Sequence, residues 1–177
     1  MPRLRADFPR LRPWLREDLT ERLVEALESG RVDLLLLALP CDCGGAETLS
    51  IGEDPFLLAC PADHALAERT SIAPRALMDE KLLLLQDGHC LRDHALAACG
   101  LSGALTAEEF AATSLHTLVH MAASGLGVTL LPRLAVAGGV LAGTGLVTRP
   151  LEGGMSRRIG LAWRARSPRA EEFRALA

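Results

Sequence analysis

"EDLTERLVEALESGRVDLLLLAL", residues 17–39, decides the fold class. Leu23, Val24 and Leu27 fall at helical spacing, Thr20 or Asp18 stands where a cap is needed, and Gly30 marks a stop, so 17–30 is expected to be a helix. Residues 32–39 follow at once, continuously apolar and too short for another helix. Such a run is expected to be a strand buried on both faces of a parallel sheet. Upstream, "LRPWLRE" (11–17) reads as a further strand whose Pro13 suits a sheet edge. The result is one strand–helix–strand unit.

Working outward, "PFLLACP" (55–61) and "KLLLLQ" (81–86) read as strands. Ser114 is placed to cap a helix over "LHTLVHMAASG" that stops at Gly125, and "VTLLP" (128–132) is the next strand. "GLVTRPL" and "RIGLAWRA" supply two more, and "SPRAEEFRALA" (167–177) opens as a helix with Ser167 as cap and Pro168 in the first turn. The glycine-rich "AGGVLAGTG" (137–145) is expected to be a loop, since it lacks the strand-before, helix-after setting of a phosphate-binding motif. Strands alternating with helices define an α/β fold with mostly parallel sheets. "MPRLRADFP" (1–9) looks like the last two turns of a helix already under way, so the chain is expected to be a fragment.

The chain's 177 residues can bury a sizeable core, as one domain or two interleaved lobes. Aromatics are only 3%, which leaves packing to leucine, valine and alanine. A net charge of −3 gives no electrostatic reason to expect nucleic-acid binding by these residues themselves. No apolar run approaches the roughly 20 residues of a membrane span, and no charged-then-apolar leader opens the chain. A cytoplasmic protein without membrane partners is therefore expected. There the five cysteines, an odd count, are expected to be free, metal-bound or transiently oxidised rather than permanent staples.

"QDGHCLRDHALAACG" (86–100) carries the chemistry. Asp87 can cap a helix that places Cys90 in its first turn. There the dipole and free N–H groups favour thiolate, the species that reacts with peroxide. His89, when protonated, and Arg92 add positive charge, and Asp93 opposes it unless Arg92 neutralises it. Residues two apart in a helix do not face one another, so Arg92 acts on Cys90 directly only if the helix start is irregular. Cys99 shares a face with Leu91 and Ala95 and is expected to be buried and unreactive. If 90–99 is helical, nine steps rise about 13 Å and put the sulfurs on opposite sides. A disulfide needs Cα atoms within roughly 7 Å, so a bridge would require unwinding. Two other readings stay open: both cysteines are small core residues, or His89, Cys90 and His94, with His116 and His120, bind a metal in a pattern that is not a recognised zinc spacing. "CDC" (41–43) reads as a solvent-edge turn rather than a ligand pair.

"QDGHCLRDHALAAC", followed by "ATSLHTLVHMAASGLGVTLLP" (112–132), resembles the regulatory domain of OxyR-type hydrogen-peroxide sensors, a branch of the LysR-type transcriptional regulators. "LTERLVEALESGRVDLLLLALP" (19–40) resembles the wider LysR-type family. The resemblance implies a periplasmic-binding-protein-like fold: two α/β lobes joined by two crossover strands near 58–62 and 158–164. Lobe one would be 1–59 with 161–177, lacking its first strand, and lobe two 60–160. It implies Cys90 as the peroxide-reacting thiol and Cys99 as the resolving one. His89, Arg92 and Asp93 match the motif, and Arg164 matches an arginine facing the cysteine. Thr20 matches a pocket threonine, and Thr113 with Ser114 a helix-start pair that holds anionic effectors. The family's winged helix-turn-helix does not appear in these residues, so DNA contact, and contact with RNA polymerase, would belong to a longer protein. A homodimer or homotetramer is implied, with no cofactor or metal and no enzymatic turnover. Competing classes are a LysR-type domain binding a small anion, with incidental cysteines, and a thiol peroxidase. Glu108 and Glu109 put negative charge where some relatives are neutral or basic.

Overall fold

A computed structural model describes residues 2–86, 89–100 and 112–177. The expected cap at Asp87 and the acidic pair Glu108 and Glu109 lie outside the described residues. Two compact units emerge, residues 1–51 with 160–177 and residues 52–159.

In the first unit, helix α1 (Pro2–Asp7) confirms the helical reading of the opening residues. Residues 11–17 form no strand, and Trp14 and Leu15 are exposed. β-Propensity is realised only against a partner strand, and none pairs with this segment among the described residues. Helix α2 (Thr20–Glu28) begins after Leu19, which occupies the cap position without a side-chain cap; Asp18 accepts the N–H of Leu19 at 3.0 Å and the Arg16 guanidinium at 2.7 Å rather than an amide of the helix's first turn. The expected cap by Thr20 or Asp18 is therefore corrected. Leu27 and Ala26 are its buried face.

Strand β1 (Leu35–Leu39) is not buried on both faces: Leu36 is 66% exposed, because β1 ends the sheet path rather than lying inside it. Strands β2 (Ala46–Pro61) and β6 (Ser156–Arg164) each run from one unit into the other. β1 lies beside β6, and β6 beside β2. The passage on β2 falls at 51/52, earlier than the 58–62 expected, and that on β6 at 159/160. Gly160 is required there, since a Cβ would come within 2.8 Å of the Leu49 carbonyl. The final helix α6 (Ala170–Ala175) starts later than expected: Arg169 is its cap position, and Ser167 and Pro168 lie in the preceding turn. Trp163 and Phe173 seal one core of this unit, Leu27, Leu35, Cys43 and Ala162 another.

The "CDC" stretch is not a solvent-edge turn. Cys41 and Cys43 are joined as a disulfide, with Cα atoms 5.3 Å apart, and Cys43 is buried.

The second unit holds a mixed rather than mostly parallel sheet. Strand β4 (Val128–Pro132) runs antiparallel to β2, with Leu58 opposite Leu130. Strand β5 (Leu146–Pro150) is also antiparallel to β2, with Ala59 opposite Thr148. Strand β3 (Leu82–Leu83) lies parallel to β4. Every residue of β4 is buried, as its continuous apolar run requires. Helix α3 (Cys90–Cys99) and helix α4 (Leu115–Ala123) cover this sheet. A short helix α5 (Arg133–Ala137) follows β4 directly, which the apolar pattern did not signal; residues 138–144 beyond it turn as expected of a loop. No helix among the described residues is long and apolar enough to cross a membrane.

Candidate functional site

Helix α3 is placed by its apolar face. Ala95 and Cys99 are buried in the main core with Leu58, Leu82 and Leu130, and Leu91 and Leu96 pack against it. Gly100, left-handed at φ 64°, closes the helix by donating its N–H to Leu96 and Ala97. Only a residue that tolerates positive φ ends a helix this way, so α3 stops directly after Cys99.

The two ends of α3 are chemically opposite. Cys90 is half-buried in the first turn, where orphan N–H groups and the dipole stabilise negative charge. His89, at the cap position, makes no side-chain cap bond, and its carbonyl accepts the Arg92 N–H at 2.9 Å. Asp93 is exposed and Arg92 half-buried. Cys99, at the last residue, is 6% exposed, and burial pushes its thiol up to about 11. It stays protonated at neutral pH. Both cysteines are free thiols. With 90–99 one unbroken helix, the sulfurs are separated by about 13 Å of rise and about half a turn of phase.

Gln86, just before the cysteine segment, donates its N–H to Ala112 at 3.0 Å, and Leu85 pairs with Ala112. The approaches to α3 and α4 therefore run side by side. Leu91 and Leu115 pack on the same small core. Ser114 caps α4 as expected, its Oγ accepting the Thr117 N–H at 3.2 Å and pairing with Thr117 Oγ1 at 3.0 Å. Thr113 is exposed beside it. The structure thus brings His89, Cys90, Thr113 and Ser114 to neighbouring helix starts.

Two expected residues lie in the other unit. Thr20 is the half-buried first residue of α2. Arg164 donates through one guanidinium nitrogen to the carbonyls of Leu27 (2.6 Å) and Val32 (2.8 Å), and through the other to Asp33 (3.3 Å), which fits an anchor for the end of α2.

Sequence reasoning missed a buried ion pair beneath α3. Asp54, fully buried, accepts two bonds from Arg157 (2.9 and 3.1 Å) and one from the Leu134 N–H (2.9 Å). Burial first, and then the positive charge of Arg157, hold the His94 imidazole below its ordinary value, with Asp93 opposing. An aspartate in the otherwise apolar run from Asp54 to Cys60 was the available signal. Among the described residues no His, Cys, Asp or Glu cluster could hold a metal.

The chain is thus an α/β protein of two compact units with a free, half-buried thiol at a helix start that has no side-chain cap. The model of the LysR substrate-binding domain matches residues 1–177, and the chain belongs to that family of regulators. It is 42% identical over 96% of its length to the "Probable hydrogen peroxide-inducible genes activator" of Streptomyces viridosporus, covering 55% of that protein. It is 40% identical over its full length to the DNA-binding transcriptional dual regulator OxyR of Escherichia coli K12, covering 58%. The chain thus spans little more than half the length of these relatives. The reduced regulatory domain of OxyR2 from Vibrio vulnificus superposes with a TM-score of 0.90 at 41% identity, covering 99% of this chain and 83% of that one.

Proposed function

We propose that this chain is the regulatory part of a cytoplasmic, peroxide-sensing LysR-type regulator. The Cys90 thiolate attacks hydrogen peroxide, the O–O bond breaks, and the departing oxygen takes a proton and leaves as water; Cys90 becomes a sulfenic acid. The Cys99 sulfur then attacks the Cys90 sulfur, the S–O bond breaks, and a second water leaves as the disulfide forms. Two electrons pass from the thiols to the peroxide. The unbroken helix between two free thiols of opposite character carries this reading. The bridge cannot close until α3 unwinds, so a chemical event becomes a change of shape.

We assign His89, Arg92 and Asp93 to tuning the reactive thiol, Thr113 and Ser114 to holding a polar ligand, and Arg164 to anchoring the end of α2, the helix that Thr20 begins. The two compact units, residues 1–51 with 160–177 and residues 52–159, are assigned as the two regulatory lobes. The refolded segment changes a homodimer or homotetramer interface, and DNA and RNA polymerase are contacted through the rest of a full-length protein. Sensing rather than peroxidase turnover fits an unwinding step that each cycle would have to reverse. The test is mass spectrometry of alkylated peptides after one equivalent of peroxide. A Cys90–Cys99 peptide is expected, absent in Cys90→Ala. If both cysteines remain alkylated, the reading is wrong, and the domain is better taken as a small-anion binder at the start of α4, detectable as thermal stabilisation by sulfate.

A further inference from the structure

We propose that Cys41 and Cys43 form a second, independent redox couple, one that exchanges with dithiols and their disulfides rather than with peroxide. The pair follows β1 and lies within the unit of residues 1–51 and 160–177, and its sulfurs are bonded.

Three observations converge on exchange. The bond spans a single residue, Asp42. A crosslink's stabilisation grows with the logarithm of the loop it closes, so this one restrains little and makes a poor staple. The two sulfurs also differ in access. Cys43 is 5% exposed, packed with Leu27, Leu35 and Ala162, whereas Cys41 is half-buried at the rim of that core. An incoming thiolate therefore meets Cys41, and Cys43 is the sulfur displaced inward. Finally, the surroundings are acidic: Asp42 separates the pair, and the Glu28 carboxylate lies against Gly44. Negative charge near a thiol disfavours thiolate, and a protonated thiol reacts slowly with peroxide.

The exchange balances without another reactant. A thiolate of a dithiol attacks the Cys41 sulfur, the Cys41–Cys43 bond breaks, and Cys43 leaves as thiolate and takes a proton. The second thiolate of the reductant then attacks the reductant's own sulfur in the mixed disulfide, which frees Cys41 to be protonated. Two electrons enter the protein, and the reductant departs as a cyclic disulfide. The reverse sequence reoxidises the pair.

The test equilibrates the folded chain with dithiothreitol and its oxidised form at graded ratios, quenches in acid, alkylates and maps peptides. The bridged fraction is expected to fall from about nine-tenths to about one-tenth over about a hundredfold rise in the ratio of dithiothreitol to its oxidised form, as a one-to-one two-electron exchange requires, with the same curve in Cys90→Ala. One equivalent of peroxide added to reduced protein is expected to leave Cys41 and Cys43 alkylated. The proposal is overturned if the pair is alkylated at every ratio, if the bridge survives dithiothreitol in the folded protein, if the curve vanishes in Cys90→Ala, or if peroxide bridges the pair as fast as Cys90 and Cys99. Because the two bridges give different peptides, a missing Cys90–Cys99 peptide would remove the peroxide reading and leave this one standing.

Discussion

The two cysteine pairs differ in what lies between them. Cys41 and Cys43 are separated by one residue and already joined, in a unit whose backbone need not change to permit it. Cys90 and Cys99 are held apart by an intact helix and remain free. One pair is a bond with almost no mechanical consequence, the other a mechanical element awaiting a bond. The backbone between two sulfurs, rather than the sulfurs, thus decides whether oxidation reshapes a protein.

The largest effect that would break this contrast is the fate of α3. On closing the Cys90–Cys99 bridge, the amides of residues 94–99 should lose ~100-fold or more of their protection from hydrogen exchange, because they leave the helical ladder. Unchanged protection in the bridged protein would mean the helix tolerates the bond. Next comes the support beneath it. Asp54→Ala strands the Arg157 guanidinium and should cost about 3–5 kcal/mol in urea unfolding of the second unit. A loss under 1 kcal/mol, against ~3 expected, would show that the pair is solvated in practice. The joined pair should matter far less. Reducing Cys41–Cys43 is expected to lower stability by only about 1.5 kcal/mol, the loop-closure value for so short a ring, read as a shift of a few degrees in thermal unfolding.

Much of this site was legible because its signals are local. The Ser114 cap, the buried β4 run and the placing of Cys90 in a first turn each depend on a few neighbouring residues, and each is found. What was missed depends on distant partners. "LRPWLRE" has the look of a strand but nothing to pair with among the described residues. The strand read over 55–61 begins earlier: β2 runs from Ala46 to Pro61, because β6 lies beside it and Asp54 finds Arg157 from that strand. "CDC" gave no sign that its second cysteine enters a core built from α2, β1 and β6. Local chemistry can be read in order along a chain; pairing across about a hundred residues cannot.

The smallest prediction probes α3 without oxidising it. His94 is held below its ordinary value of 6.5 by burial and Arg157, so the unfolded or unwound segment binds a proton before the native helix does. Stability from this residue is therefore present above about pH 6.5 and is lost as pH falls through that value towards the lowered one. One proton sets a ceiling of about 1.4 kcal/mol per pH unit, and solvent screening of a half-exposed ring keeps the slope well below it. Thermal unfolding between pH 7.5 and 5.5 should show this decline, and His94→Gln, which cannot titrate, should flatten it. Asp93 and Arg157 face the ring with opposite signs, so Arg157→Gln is expected to flatten the decline as well, by raising the native value towards 6.5. A decline of equal slope in His94→Gln would place the titrating group elsewhere and leave α3 indifferent to pH, with its unwinding governed by sulfur chemistry alone.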